Sequence, residues 1–160
     1  MKILFLTFGP SIIPSSRTRV YQYLHFFDKD NYVYKIINNF NDNPYVLKNK
    51  DRYFKDKYKY FAILLPALVV IFNALNVIHS IVQITRSVFL TIFFGYNILF
   101  IQKVFVPIFI LRVLRRCNKT LVFDFDDAIY LQNGWFRNKK RFDRMMPYFD
   151  LIILENDSAQ

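Results

Sequence analysis

The chain has 160 residues, 54% of them hydrophobic and 19% aromatic, with 22 Lys and Arg against 12 Asp and Glu for a formal charge of +10. That length makes one domain or part of a larger protein, and a chain this apolar is not intrinsically disordered. The single cysteine, Cys117, excludes an internal disulfide and a cysteine-built zinc centre.

Residues 2–8, KILFLTF, form a continuous apolar run. Such a run suits a strand buried on both faces of a parallel sheet. It superficially resembles a signal peptide, but its apolar core is short and no small-x-small cleavage site follows. The expectation is a first strand in a reducing, cytoplasmic setting. Gly9 and Pro10 end the strand, and Ser15 or Ser16 is placed to cap the next helix. Val20, Tyr21, Leu24 and Phe27 mark that helix's buried face. DKDN turns the chain, and residues 32–37, YVYKII, make the second strand. This β-loop-α-β opening predicts a doubly wound fold.

From residue 61 to 85 the only ionisable side chain that can carry a positive charge is His79. The length would allow a membrane span. Asn73, Asn76, Ser80, Gln83 and Arg86, however, fall in one helical stripe, which predicts one wet or protein-bonded face and one apolar face. The expectation is a buried or membrane-surface helical pair, started or kinked at Pro66. Just before it, residues 48–59 hold six basic and two acidic residues. That segment reads as a dock for anionic lipid or as a solvated charged loop. Residues 103–119 hold five basic and no acidic residues, whereas 120–160 hold seven acidic and five basic, so basic surface and carboxylates occupy different places. An anionic membrane surface is the expected partner; no nucleic-acid-binding module is recognisable.

Residues 97–103, NILFIQK, read as the third strand. Pro107 suits the first turn of a helix that carries Ile108, Leu111, Val113 and Leu114 and ends in Arg115 and Arg116, which complement its dipole. Residues 119–125, KTLVFDF, are the fourth strand. Phe142, Met145, Met146 and Phe149 form a helical core stripe, and residues 150–156, DLIILEN, are the fifth strand. The sequence stops where a covering helix is due, so the reading is the front part of a longer protein. The fold class is α/β: a Rossmann-like, doubly wound parallel sheet, incomplete at its C-terminus.

In an open parallel sheet, ligands bind beyond the carboxyl ends of the strands. Gly9, Ser15, Ser16, Arg17 and Arg19 follow the first strand, Asp126 and Asp127 the fourth, and Asn156 the fifth. Guanidinium forks and helix-start N–H groups suit an anion, and a carboxylate orients a hydroxyl or takes its proton. A phosphorylated or hydroxyl-rich ligand is expected. The bland alternative pairs Arg17 and Arg19 with Asp126 and Asp127 simply to tie two loops together. Asp124 lies within its strand and is expected to bond a neighbouring loop rather than a substrate. A DxD phosphatase and a DxD metal site are weaker readings: the first lacks its following Gly-Thr, and the second belongs to a different fold.

IIPSSRTRVYQYL, FIQKV, VFDFDDAIY, RFDRM and LIILEND, in that order, resemble the N-terminal domain of family 4 glycosyltransferases. The resemblance implies a two-domain GT-B enzyme. Its N-terminal half binds the acceptor and its C-terminal half the nucleotide-sugar donor; transfer retains configuration and requires neither metal nor other cofactor. Residues 1–160 would be the N-terminal domain, with an apolar helical insertion at about 54–94. Gly9, Ser15, Ser16, Arg17 and Arg19 would face the acceptor, with Asn156 opening the loop after strand five. Asp126 and Asp127 take the region where many relatives carry a histidine and are the candidate catalytic residues. Lipid-linked or cell-surface glycan acceptors at the inner face of the cytoplasmic membrane are implied. Without the donor half these residues should not transfer sugar by themselves, so the alternative is a non-catalytic, membrane-associated binding remnant.

Overall fold

The structure, a computed structural model, describes residues 1–39, 65–125 and 139–154. Five strands, β1 (Lys2–Thr7), β2 (Val33–Asn38), β3 (Ile98–Gln102), β4 (Thr120–Phe125) and β5 (Leu151–Leu154), make one sheet in the order β2-β1-β3-β4-β5. Every pairing is parallel. The helices are α1 (Pro14–Arg19), α2 (Leu24–Lys29), α3 (Leu65–Phe93), α4 (Ile108–Arg116) and α5 (Lys139–Met145). This is a Rossmann-like α/β fold, and strand order reverses between β1 and β3, where such sheets open a crevice.

The apolar runs are explained by helices on both faces of the sheet. Side chains alternate along a strand. Leu4, Leu6, Leu99, Ile101, Leu121 and Phe123 therefore share one face, packed with Ile84 and Leu90 of α3, Leu111 and Leu114 of α4, and Phe142 and Met145 of α5. Ile3, Phe5, Ile98 and Phe100 share the other face, with Val20, Tyr21, Leu24 and Phe27. Phe27 and Phe100 sit 5.5 and 5.3 Å from the Phe5 ring.

Three local expectations are corrected. Neither Ser15 nor Ser16 caps α1: Ile13 is the N-cap, without a side-chain cap, and the helix starts at Pro14. Proline's fixed φ and missing N–H suit that first position, which draws both serines inside the helix. Residues 65–93 form one helix rather than a pair, because Pro66 falls in its first turn, where proline starts a helix instead of kinking it. Pro107 is likewise the N-cap residue of α4, one step before the helix.

The expected polar stripe of α3 turns inward at Ser80, and two hydroxyl residues outside that stripe, Ser87 and Thr91, do the same. The Ser80 hydroxyl donates to Asn39 Oδ1 (2.9 Å). Ser87 and Thr91 are fully buried and donate to the Gln83 and Ser87 carbonyls (2.8 and 2.7 Å). Small hydroxyl side chains that bond their own helix can lie against a core without stranding a polar atom. Asn76 and Gln83 are half-buried, Arg86 is exposed, and of Asn73 only the backbone is described.

At the far end of α4, Asn118 adopts φ 52°, and Asn118 and Lys119 donate to the carbonyls of Arg115 and Leu114 (3.0 and 3.2 Å), a left-handed helix stop. Arg115 does more than complement the helix dipole. It pairs with Asp150, whose Oδ2 also accepts from the Leu121 N–H (2.8 Å), tying β5 to β4. The Leu121 N–H first, and Arg115 after it, hold the Asp150 carboxyl below its ordinary value despite the opposing effect of partial burial. The folded value lies below the unfolded one, so this contribution is complete above the unfolded value of about 3.9 and is lost as pH falls through the folded value. The stability gap between wild type and Asp150→Asn is expected to be open near neutral pH and to close below about pH 4. Solvent screening at side chains 44% and 34% exposed keeps that gap small. Urea midpoints across pH measure it; a gap independent of pH would refute the assignment.

Candidate functional site at the carboxyl rim

Near the carboxyl ends of four strands a polar residue stands at the same level of the sheet, last in β1, β2 and β3 and next to last in β4. Thr7 of β1 stands opposite Asn38 of β2, and Gln102 of β3 opposite Asp124 of β4. One step beyond the Leu6–Ile101 pair, Thr7 adjoins Gln102. By alternation all four point to the face covered by α1 and α2. The row therefore runs Asn38, Thr7, Gln102, Asp124 across the rim, and its last three members are essentially inaccessible.

Together they hold the chain from the end of β1 to the residues just after α1. Asn38 Oδ1 accepts from the Thr7 and Tyr21 hydroxyls, both at 2.8 Å. Thr7 Oγ1 also lies 3.0 Å from the Gly9 carbonyl oxygen. Gln102 uses both ends of its amide: Nε2 donates to the Ser15 carbonyl (2.7 Å), and Oε1 accepts from the Phe8 N–H (3.4 Å). Asp124 pairs with Arg19, whose side chain is 10% exposed against 2% for the carboxylate. A low-dielectric setting strengthens such a charge-assisted contact and makes each partner depend on the other.

The expected site residues are distributed as follows. Gly9 is buried, and its N–H donates to Ser16 Oγ (3.2 Å), so Ser16 serves the loop's own structure. Ser15 is half-buried and is held through its carbonyl. Arg17 is exposed on α1. Arg19, the last residue of α1, is turned onto Asp124, so Asp124 bonds a neighbouring helix rather than the loop expected. Asp126, Asp127 and Asn156 lie outside the described residues, and with them the proposed catalytic pair, its loop-tying alternative and the DxD metal reading. Thr7, Asn38 and Gln102 were not singled out from the sequence. Their signal was present: a polar residue at or next to the end of a mainly apolar strand, repeated on neighbouring strands.

The opposite face of the same rim carries a cavity of about 560 Å³. Val77, Ile81 and Ile84 of α3, with residues 104–107 between β3 and α4 and Ile108 and Phe109 at the start of α4, supply mostly apolar walls; Lys103, Arg141 and Arg144 supply cations. Lys103 has φ 53° and donates its N–H to the Asp124 carbonyl (2.9 Å), so the rim of the cavity is joined by backbone to the strand that carries the buried ion pair. An apolar pocket with a few placed polar groups is what a small-molecule site requires. Here the chemistry suits an amphiphile whose apolar part meets the walls and whose anion meets guanidinium or ammonium.

Fold and rim together define a Rossmann-like α/β protein whose buried polar row fixes the first crossover loop beside a cationic, apolar-walled cavity. Set against models of protein families, curated proteins and solved structures, the chain matches none.

Proposed function

We propose that this chain is the acceptor-binding half of a retaining GT-B glycosyltransferase, which moves a sugar from a nucleotide-sugar donor to a lipid-linked or cell-surface glycan acceptor. The observation that carries the reading is the cavity at the carboxyl rim, with apolar walls and three basic residues, next to a rigidly held loop. A lipid-linked acceptor is an amphiphile of that kind: a long apolar tail, an anionic phosphate and a hydroxyl-rich sugar. In this reading the tail-proximal part lies between α3 and the residues after β3, and the phosphate meets Lys103, Arg141 and Arg144. The segment from Gly9 into α1 faces the sugar through half-buried Ser15 and exposed Arg17, together with Asn156, while buried Gly9 and Ser16 hold its shape. Asp126 and Asp127 supply the carboxylates that orient the attacking hydroxyl. The donor belongs to a second Rossmann-like half, and no metal takes part.

Farnesyl diphosphate is a soluble stand-in for such an acceptor. The chain is expected to bind it, and Arg144→Ala to weaken binding by about tenfold, the equivalent of 1.4 kcal/mol for one charged contact. Isothermal titration of both proteins measures this, with farnesol as the uncharged control. A folded chain that ignores farnesyl diphosphate, or a variant that binds it equally well, would reject the acceptor-site assignment. The alternative, a binding domain without chemistry, separates from the enzyme at the next step: protein supplied with both halves and a labelled nucleotide sugar transfers label only in the first reading.

A further inference from the structure

Helix α3 keeps a long apolar line on its outer side. Ser80, Ser87 and Thr91 pack against the protein beside Ile84 and Leu90, while Ile71, Leu75, Ile78, Val82, Phe89 and Phe93 face outward, each more than half exposed. These six recur at three- and four-residue steps, apart from one gap filled by exposed Thr85, so they lie in a single line along the helix. At 1.5 Å per residue the line is about 33 Å long. Phe89, Phe93 and Phe94 cluster at its end, with ring centroids 4.8 and 5.9 Å apart. Residues 74–93 are long and apolar enough to cross a membrane by length and composition, and only 22% of the most apolar window is buried in the protein. A crossing is incompatible with the other side of the same helix, which is packed on the sheet through Ile84 and Leu90.

We propose that this face lies in the plane of an anionic lipid leaflet, with the outward side chains of α3 at the boundary between headgroups and acyl chains. Charge selects this occupant over a second copy of the chain. Each copy carries +10, so a dimer through this face brings two like-charged bodies together, whereas anionic headgroups complement them. The cations are well placed along the sequence and the helix. Six basic residues at 48–59 precede α3 in the chain. Arg86 is exposed on the edge of the line, between Val82 and Phe89. Lys2 Nζ reaches the Phe94 carbonyl at its end (3.4 Å). A long apolar line flanked by cations is the pattern of an interfacial helix. The inference rests on α3 alone and stands whether or not the chain serves glycosyl transfer.

Flotation of the full chain with two kinds of vesicle tests it: pure phosphatidylcholine, and equal parts phosphatidylcholine and phosphatidylglycerol. Wild type is expected to float with the anionic vesicles and to remain mostly below with the neutral ones. Ile78→Glu with Val82→Glu should lower partition by about tenfold or more, with circular dichroism unchanged because both side chains face outward. A second readout does not depend on that variant. In a Cys117→Ser background, an environment-sensitive dye on Ile78→Cys should shift to the blue with anionic vesicles, and the same dye on Lys29→Cys, on the opposite face of the sheet, should not. Equal flotation of wild type and the double variant, equal partition into both vesicle types, an unshifted dye at position 78, or a dimer in lipid-free buffer that the double variant abolishes would each overturn the proposal.

Discussion

Asp124→Ala is expected to destabilise the protein by about 3–5 kcal/mol, because it strands the Arg19 guanidinium in a nearly closed site without its counter-charge. For a chain of this length that lowers the melting temperature by roughly 6–20 °C, at about 2–4 °C per kcal/mol. The loss does not measure what the ion pair contributes to stability. Replacing both partners by apolar residues of similar size, Arg19→Met with Asp124→Leu, is expected to recover most of the stability, since the cost lies in an uncompensated buried charge rather than in a missing attraction. Thermal melts and urea midpoints of the two proteins decide it. A double variant as unstable as the single would mean that the pair acts through some other contact. The recovered protein would also be informative about the site: α1 would remain docked, and the polar contacts that Gln102, Thr7 and Ser16 make with the loop would be retained.

Phe123→Ala carries the other large expected effect, again about 3–5 kcal/mol. The side chain is fully buried in the middle of β4, with the Phe149, Phe125 and Phe142 rings 4.9, 5.3 and 6.3 Å away. Removing it leaves a cavity ringed by side chains from β4, α5 and the turn before β5, none of which can collapse without shifting the sheet edge. The comparison that gives this number meaning is Phe93→Ala, at a phenylalanine 70% exposed on the outer face of α3. That change is expected to stay within about 0.5 kcal/mol in lipid-free buffer. Urea denaturation of the two variants side by side tests the burial assignment; equal losses would sink it. The pair also isolates the membrane inference, because a residue that contributes little to folding can still contribute to partition.

Much of the fold was legible before any coordinates. KILFLTF and KTLVFDF are apolar without alternation, and such runs have one common explanation, burial under helices on both faces. The stripe of Phe142 and Met145 was equally plain, and both are buried. What failed was finer. The serine cap yielded to Pro14, and the helical pair merged into one helix because a proline in the first turn has no partner carbonyl to displace. The candidate site was legible in part. Gly9 lies in a loop fixed at the carboxyl rim, with Ser15 and Ser16 in the helix that follows it, and Asp124 bonds a neighbouring element, but that element is the helix carrying Arg19 rather than a loop.

By itself the sequence determined the described strands and the buried apolar positions of most described helices, though not where each helix starts or breaks, because hydrophobic periodicity is written into neighbouring residues and needs no partner to be read. Only the tertiary structure decided which polar residues meet. Asn38, Thr7, Gln102 and Asp124 form one row because parallel pairing fixes the register of strands far apart in the chain. It also decided the orientation of α3. Periodicity separates a polar face from an apolar one, but which of them turns toward the sheet depends on what the sheet and Asn39 present to it.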